Sequence, residues 1–170
     1  MVLLHRRAFL LGSLAMGLAG RSAHAAAQWP FDDPAAKVVE IAGATTSPKT
    51  LSRADLAELE VTRFTTALPW NDETAHVEGP SITELLRSVD PEGASTRIEI
   101  EALDGFAITA DIGQLVADGA ILVVRQDGAF LPVSRKGPAF LMFPFDDGPE
   151  LKNQARFGQC IWQISRIALS

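Results

Sequence analysis

Cysteine is nearly absent from this 170-residue chain. With Cys160 alone, no intramolecular disulfide can brace the fold, and its core must hold it. Histidine is almost as scarce: His5 and His24 lie in a leader-like N-terminal stretch, so His76 is the one histidine in the body of the chain. A metal site built from several histidines is thereby excluded. The sequence also lacks internal repeats, low-complexity runs and, after the leader, any hydrophobic segment near the ~20 residues a membrane span requires. Nothing in it resembles a catalytic triad, a P-loop or a Gly-rich dinucleotide turn.

What is present begins with Arg6-Arg7, followed by the apolar, glycine-diluted stretch 8–20, then Arg21 and Ala23-His24-Ala25. A twin arginine, a short apolar run and an A-x-A site together read as a cleavable twin-arginine signal peptide over residues 1–25, with a mature protein exported to the periplasm. That route carries folded cargo and is used by proteins that acquire a cofactor before export. Of the 15 Lys and Arg residues, three leave with the leader, so 12 remain against all 21 acidic ones, a charge of −9. Nucleic acid and anionic membrane surfaces are poor partners for such a surface. Removing 25 of 170 residues leaves 145, the size of one domain with a real core.

Residues 26–36 read as an exposed lead-in, and the domain itself as 37–170. The β-branched run 37–42 predicts the first strand. Ser52-Arg53-Ala54-Asp55 predicts a capping box opening a helix over 53–59, because the Ser hydroxyl and the Asp carboxylate can each satisfy the other's backbone N–H. A strand over 61–68 follows, with Phe64, Thr66 and Leu68 on one face. After the turn 69–73, a short return strand spans 75–78, and Ser81 to Glu84 predicts a second capping box. The helix that it starts carries Ile82, Leu85, Leu86 and Val89 as a buried stripe. Strand 97–102 alternates Ile98 and Ile100 inward against Arg97, Glu99 and Glu101, marking a sheet with one wet face. Asp104-Gly105 turns into 106–108. Strand 120–124 is wholly apolar, Asp127-Gly128 is a hairpin turn, 139–143 is a buried strand, and 161–169 closes the chain. Short strands outnumber helices without regular alternation, which predicts an α+β fold, mixed and mainly β, with a few short helices.

The ordered pieces Asp127-Gly128-Ala129-Phe130-Leu131-Pro132, Lys136-Gly137-Pro138 through Pro144, and Ile161-Trp162-Gln163-Ile164 resemble the oxidoreductase molybdopterin-binding domain family of the sulfite oxidase fold. Gly79-Pro80-Ser81-Ile82-Thr83-Glu84-Leu85-Leu86 and Leu103-Asp104-Gly105-Phe106 resemble that family's helix and turn motifs. The resemblance implies a sulfite-oxidase-like fold and, in full enzymes, a molybdenum held by a pterin dithiolene and one Cys thiolate, a soft ligand suited to it. It places that Cys near the end of strand 61–68, where this chain has Phe64, Thr65, Thr66 and Ala67. The protein thiolate is absent, and the loops that would wrap the pterin phosphate with Arg and His have little room. Cys160 sits where the family has its closing strand, and reads as a small buried thiol beside Trp162.

The candidate ligand pocket comprises Thr65, Thr66, Trp70, Asp104, Arg135 and Lys136, with no metal ligand among them. Trp70 either stacks on a ligand or caps the core. Arg135-Lys136 either hold an anion or form a solvated turn. Asp104 is explained by its Asp-Gly turn, and Asp146-Asp147-Gly148 by a solvated loop. Two functions follow. One is a non-catalytic module, lacking the metal-ligating Cys, that binds a small molecule or a membrane-associated protein partner. The other is a periplasmic molybdopterin-dependent oxidoreductase, or a subunit of one.

Overall fold

The computed structural model describes residues 32–43, 47–71 and 73–170; the leader 1–25, the first part of the lead-in and Asp72 lie outside the described residues. Two strand systems are built over one apolar core. The larger sheet contains β1 (Lys37–Ala42), β2 (Lys49–Ser52), β5 (Arg97–Ala102), β6 (Ala107–Asp111) and β11 (Ile164–Leu169), in the order β2-β1-β11-β5-β6. The pairing of β1 with β11 is parallel and the other three are antiparallel. Alternation sends Ile41, Ile100 and Ile167 into the core along one row. On the opposite face the neighbouring row sets Arg166 3.4 Å from Glu40 and within 4 Å of Glu99 and Glu101. This is the wet face that the 97–102 pattern predicts.

The second system is a four-stranded sheet ordered β3 (Val61–Ala67), β4 (Thr74–Pro80), β8 (Arg125–Gln126), β9 (Ala129–Phe130). Between the sheets runs a buried ribbon of β7 (Ile121–Val123) and β10 (Phe140–Met142), where residues 120–124 and 139–143 are all buried. An uninterrupted apolar run suits a strand covered on both faces. At Gly79, β4 lies so close to this ribbon that a Cβ would sit 1.9 Å from the Leu122 carbonyl oxygen. Only glycine permits that approach. The hairpin between β8 and β9 turns on Asp127 and Gly128, with φ of 52° and 80°, as a two-residue loop with both φ positive requires.

Short helices fill the corners. α1 (Arg53–Glu58) opens with the full capping box: Asp55 N donates to Ser52 Oγ at 3.0 Å and Ser52 N donates to Asp55 Oδ2 at 2.6 Å. α2 (Ile82–Val89) has only half of the predicted box. Ser81 Oγ accepts from Glu84 N, but the Glu84 carboxylate is drawn to Arg87 one turn on. α3 (Ile112–Ala117) and α4 (Gln154–Gln159) were not expected from the sequence, and β11 begins at Ile164 rather than 161. The delay has a local cause, because Gln163 adopts φ 56° and turns the chain before pairing starts. The described part of the lead-in is fastened down: Val133 N donates to Asp32 Oδ1 at 2.9 Å, and Ala54 N to Pro34 O at 3.0 Å. Eleven strands and four short helices among the described residues make the architecture α+β and mainly β. None of the described helices is long and apolar enough to cross a membrane.

Candidate functional site

The end of β3, where the family resemblance would put a thiolate, is closed by hydrogen bonds. Thr66 is fully buried, and its Oγ1 accepts from Phe145 N at 2.9 Å and reaches Phe143 O at 3.4 Å. One residue on, Ala67 N donates to Asp146 Oδ2 at 2.9 Å, and Lys152 Nζ donates to the other carboxylate oxygen at 2.7 Å. The Lys152 ammonium and the Ala67 N–H hold the Asp146 carboxyl below its ordinary range. Asp146 is therefore a brace between β3 and the loop after β10. Thr65 points the other way, exposed, with Oγ1 3.5 Å from His76 Nδ1.

Beside this closed end stands an aromatic cluster. Trp70 meets Phe140 edge-on at 5.6 Å and Trp162 edge-on at 5.7 Å, so it caps the core while remaining partly open. Lys136 Nζ lies 4.7 Å from the Trp70 ring and 4.4 Å from the Trp162 ring. Cation–π contacts of this kind contribute about 0.5–1 kcal/mol each at accessible sites. The backbone holds the group rigidly. Lys136 has φ 70° and Gln163 φ 56°, and the two left-handed residues are tied by Gln163 N donating to Lys136 O at 3.0 Å. Gln163 Nε2 adds a bond to Val133 O at 3.0 Å. Non-glycine residues keep such conformations only where surrounding structure over-determines them. Arg135, in the 3-10 turn Val133–Arg135, is exposed.

Next to Trp162 opens a cleft of about 400 Å³ lined by Ala102, Asp104, Phe106, Phe157, Gly158, Cys160, Ile161 and Trp162. Phe157 also borders two neighbouring hollows, one with Trp70 and Asn71 and one with Phe145 and Lys152. Thus Trp70 and Asp104 lie on adjoining concavities, whereas Thr65, Thr66, Arg135 and Lys136 line none of the three. Asp104 is set by its turn: Phe106 N donates to Asp104 Oδ1 at 3.0 Å, which leaves the carboxylate at the rim. In the sequence Phe106 figured only as part of the Asp104-Gly105 turn motif, and neither it nor Phe157 was a candidate site residue. Their only advance signal was an aromatic beside Asp-Gly and another in a polar helix.

Cys160 is in the wall of the cleft but buried, with Sγ donating to Arg156 O at 3.4 Å. Burial pushes its thiol up to about 12, so it stays protonated and is a poor ligand. Among the described residues, no group of three or more His, Cys, Asp or Glu is placed to hold a metal ion. The residues present therefore do not fit a thiolate-held molybdenum: the β3 end offers a hydroxyl already engaged by two backbone groups, and the one thiol is inert.

No family model matches the chain, and no curated protein matches it. Among solved structures, it is similar to the sulfane dehydrogenase SoxCD from Paracoccus pantotrophus, with a TM-score of 0.59 and 15% identity. The match covers 84% of this chain and 39% of that one. At such identity the likeness concerns the fold alone, and that fold is the α+β, mainly β, sulfite-oxidase-like arrangement.

Proposed function

We propose that the chain is an exported, non-catalytic binding module on a sulfite-oxidase-like fold, one that has lost the metal-ligating cysteine. Its ligand would be a small molecule or a membrane-associated protein partner, met at the surface around Trp70, Asp104, Arg135 and Lys136. The observation that carries this reading is the state of Thr66. Its hydroxyl is buried and shared between Phe143 and Phe145, so the position has become part of the core scaffold. The aromatic cluster next to it remains accessible.

The second reading is a molybdopterin-dependent oxidoreductase or a subunit of one, and the likeness to a sulfane dehydrogenase favours it. Fold does not fix function, and the ligand chemistry described above favours the binding module. The deciding experiment is molybdenum and pterin analysis of protein exported through its own leader and purified from the periplasm, in a host that loads a control molybdoenzyme. The binding module is expected to carry neither. Near-stoichiometric metal and pterin would overturn it. Export is tested by changing Arg6 and Arg7 to Lys, which is expected to stop passage by the twin-arginine route.

A further inference from the structure

We infer that the cleft between Phe106, Phe157 and Trp162 is a binding site for a planar aromatic molecule bearing an ammonium group, with Asp104 as the counter-charge. The inference rests on the binding-module reading and names the ligand class. Five large hydrophobic side chains are exposed among the described residues: Leu103, Phe106, Val116, Phe157 and Trp162. Three of the five line this one cleft, with Phe106 57% and Trp162 42% exposed, and Leu103 adjoins it in sequence. Scattered exposed apolar residues need no explanation, but a cluster of aromatics around a concavity does. The cleft's volume of about 400 Å³ is that of a small-ligand site, and its walls come from two separate chain segments, 102–106 and 157–162. Flat rings suit it, because aromatic pairs gain from stacked and edge-to-face contacts beyond the area they bury.

Charge selects the sign. Asp104 is the one ionisable group in the lining besides the Cys160 thiol, which stays protonated. Its Oδ1 already accepts from Phe106 N, and the free oxygen is open to a donor. The opposing charge nearby is Lys136, whose ammonium lies on the Trp162 ring and outside the lining. The acidic balance of the whole chain, −6 even with the leader attached, adds a field that concentrates cations.

The test is calorimetric titration of the full exported protein with three probes of one shape: 2-naphthylmethylammonium, 2-naphthylmethanol and 2-naphthylacetate. The ammonium is expected to bind tightest, the alcohol roughly fivefold more weakly, as an accessible ion pair allows, and the acetate more weakly still. Asp104→Asn should bring the ammonium to the level of the alcohol, and Phe106→Ala, at an exposed position, should weaken all three probes. Equal affinity for the three, preference for the acetate, or no saturable binding of the ammonium in the millimolar range would overturn the assignment. This outcome is separate from the metal and pterin analysis, since either can fail while the other stands.

Discussion

Phe157 stands between two neighbouring regions that use similar residues in opposite ways. On one side, at the end of β3, Thr66 and Asp146 are consumed by the scaffold: Thr66 by the backbone of Phe143 and Phe145, and Asp146 by Ala67 and Lys152. The aromatics there are covered, with Phe143 and Phe145 packed 5.9 Å apart in the core. On the other side, Phe106 and Trp162 stand uncovered around a cleft with one unspent carboxylate oxygen. The closed region contributes to stability and the open one is free to bind.

The sharpest way to break this contrast is to truncate its closed side. Phe145→Ala removes a fully buried ring that contacts Phe143 and Phe157, and should cost about 3–5 kcal/mol in denaturant-induced unfolding. A loss below about 1 kcal/mol would mean that the region is not packed as described. Next in size is Thr66→Val, which removes one of the two acceptors shared by the buried Phe145 N–H, Phe143 O at 2.9 Å being the other, and should cost about 0.5–1.5 kcal/mol, while Thr66→Ser keeps most of the stability. If the two variants are equally destabilised, the hydroxyl is not the anchor.

Smaller still is the acid response of Asp146. Its folded carboxyl is held low, so its contribution is present above the ordinary carboxylate range and is lost as pH falls below that range. The protection of the Ala67 amide, its exchange rate relative to a free peptide at the same pH, should fall in acid, and Asp146→Asn should give the low protection already at neutral pH. Exchange at Ala67 that ignores both changes would remove the brace. The smallest effect belongs to the open side: Phe106→Ala should alter stability by no more than about 0.5 kcal/mol. A large loss would show the cleft to be core in disguise.

Much of the fold was legible where the sequence carries a local physical signal. The β-branched run of β1, the alternation of β5, the Ser52–Asp55 capping box and the Asp127-Gly128 turn each name their structure without help from distant residues. α3 was missed although Asp111 and Gln114 have capping spacing and Ile112 and Leu115 are buried, because Gly113 dilutes the pattern. α4 buries none of its residues and so has no apolar stripe to read. The site was less legible still. Whether Thr66 faces ligand or core depends on Phe145, 79 residues away, and the exposure of Phe106 and Phe157 is set by what fails to cover them.

The position of β11 in the larger sheet has a consequence for the order of events during synthesis. This strand is the last of the described strands in chain order, yet it lies in the centre, between β1 and β5. Until residues 164–169 leave the ribosome, β1 has only β2 beside it, β5 has only β6, and the two hairpins share no edge. A sheet closed by the strand farthest along the chain joins residues distant in sequence and should assemble slowly. A chain stopped before Ile164 would hold two half-sheets with facing unpaired edges, an invitation to aggregate that the six-residue strand β11 removes.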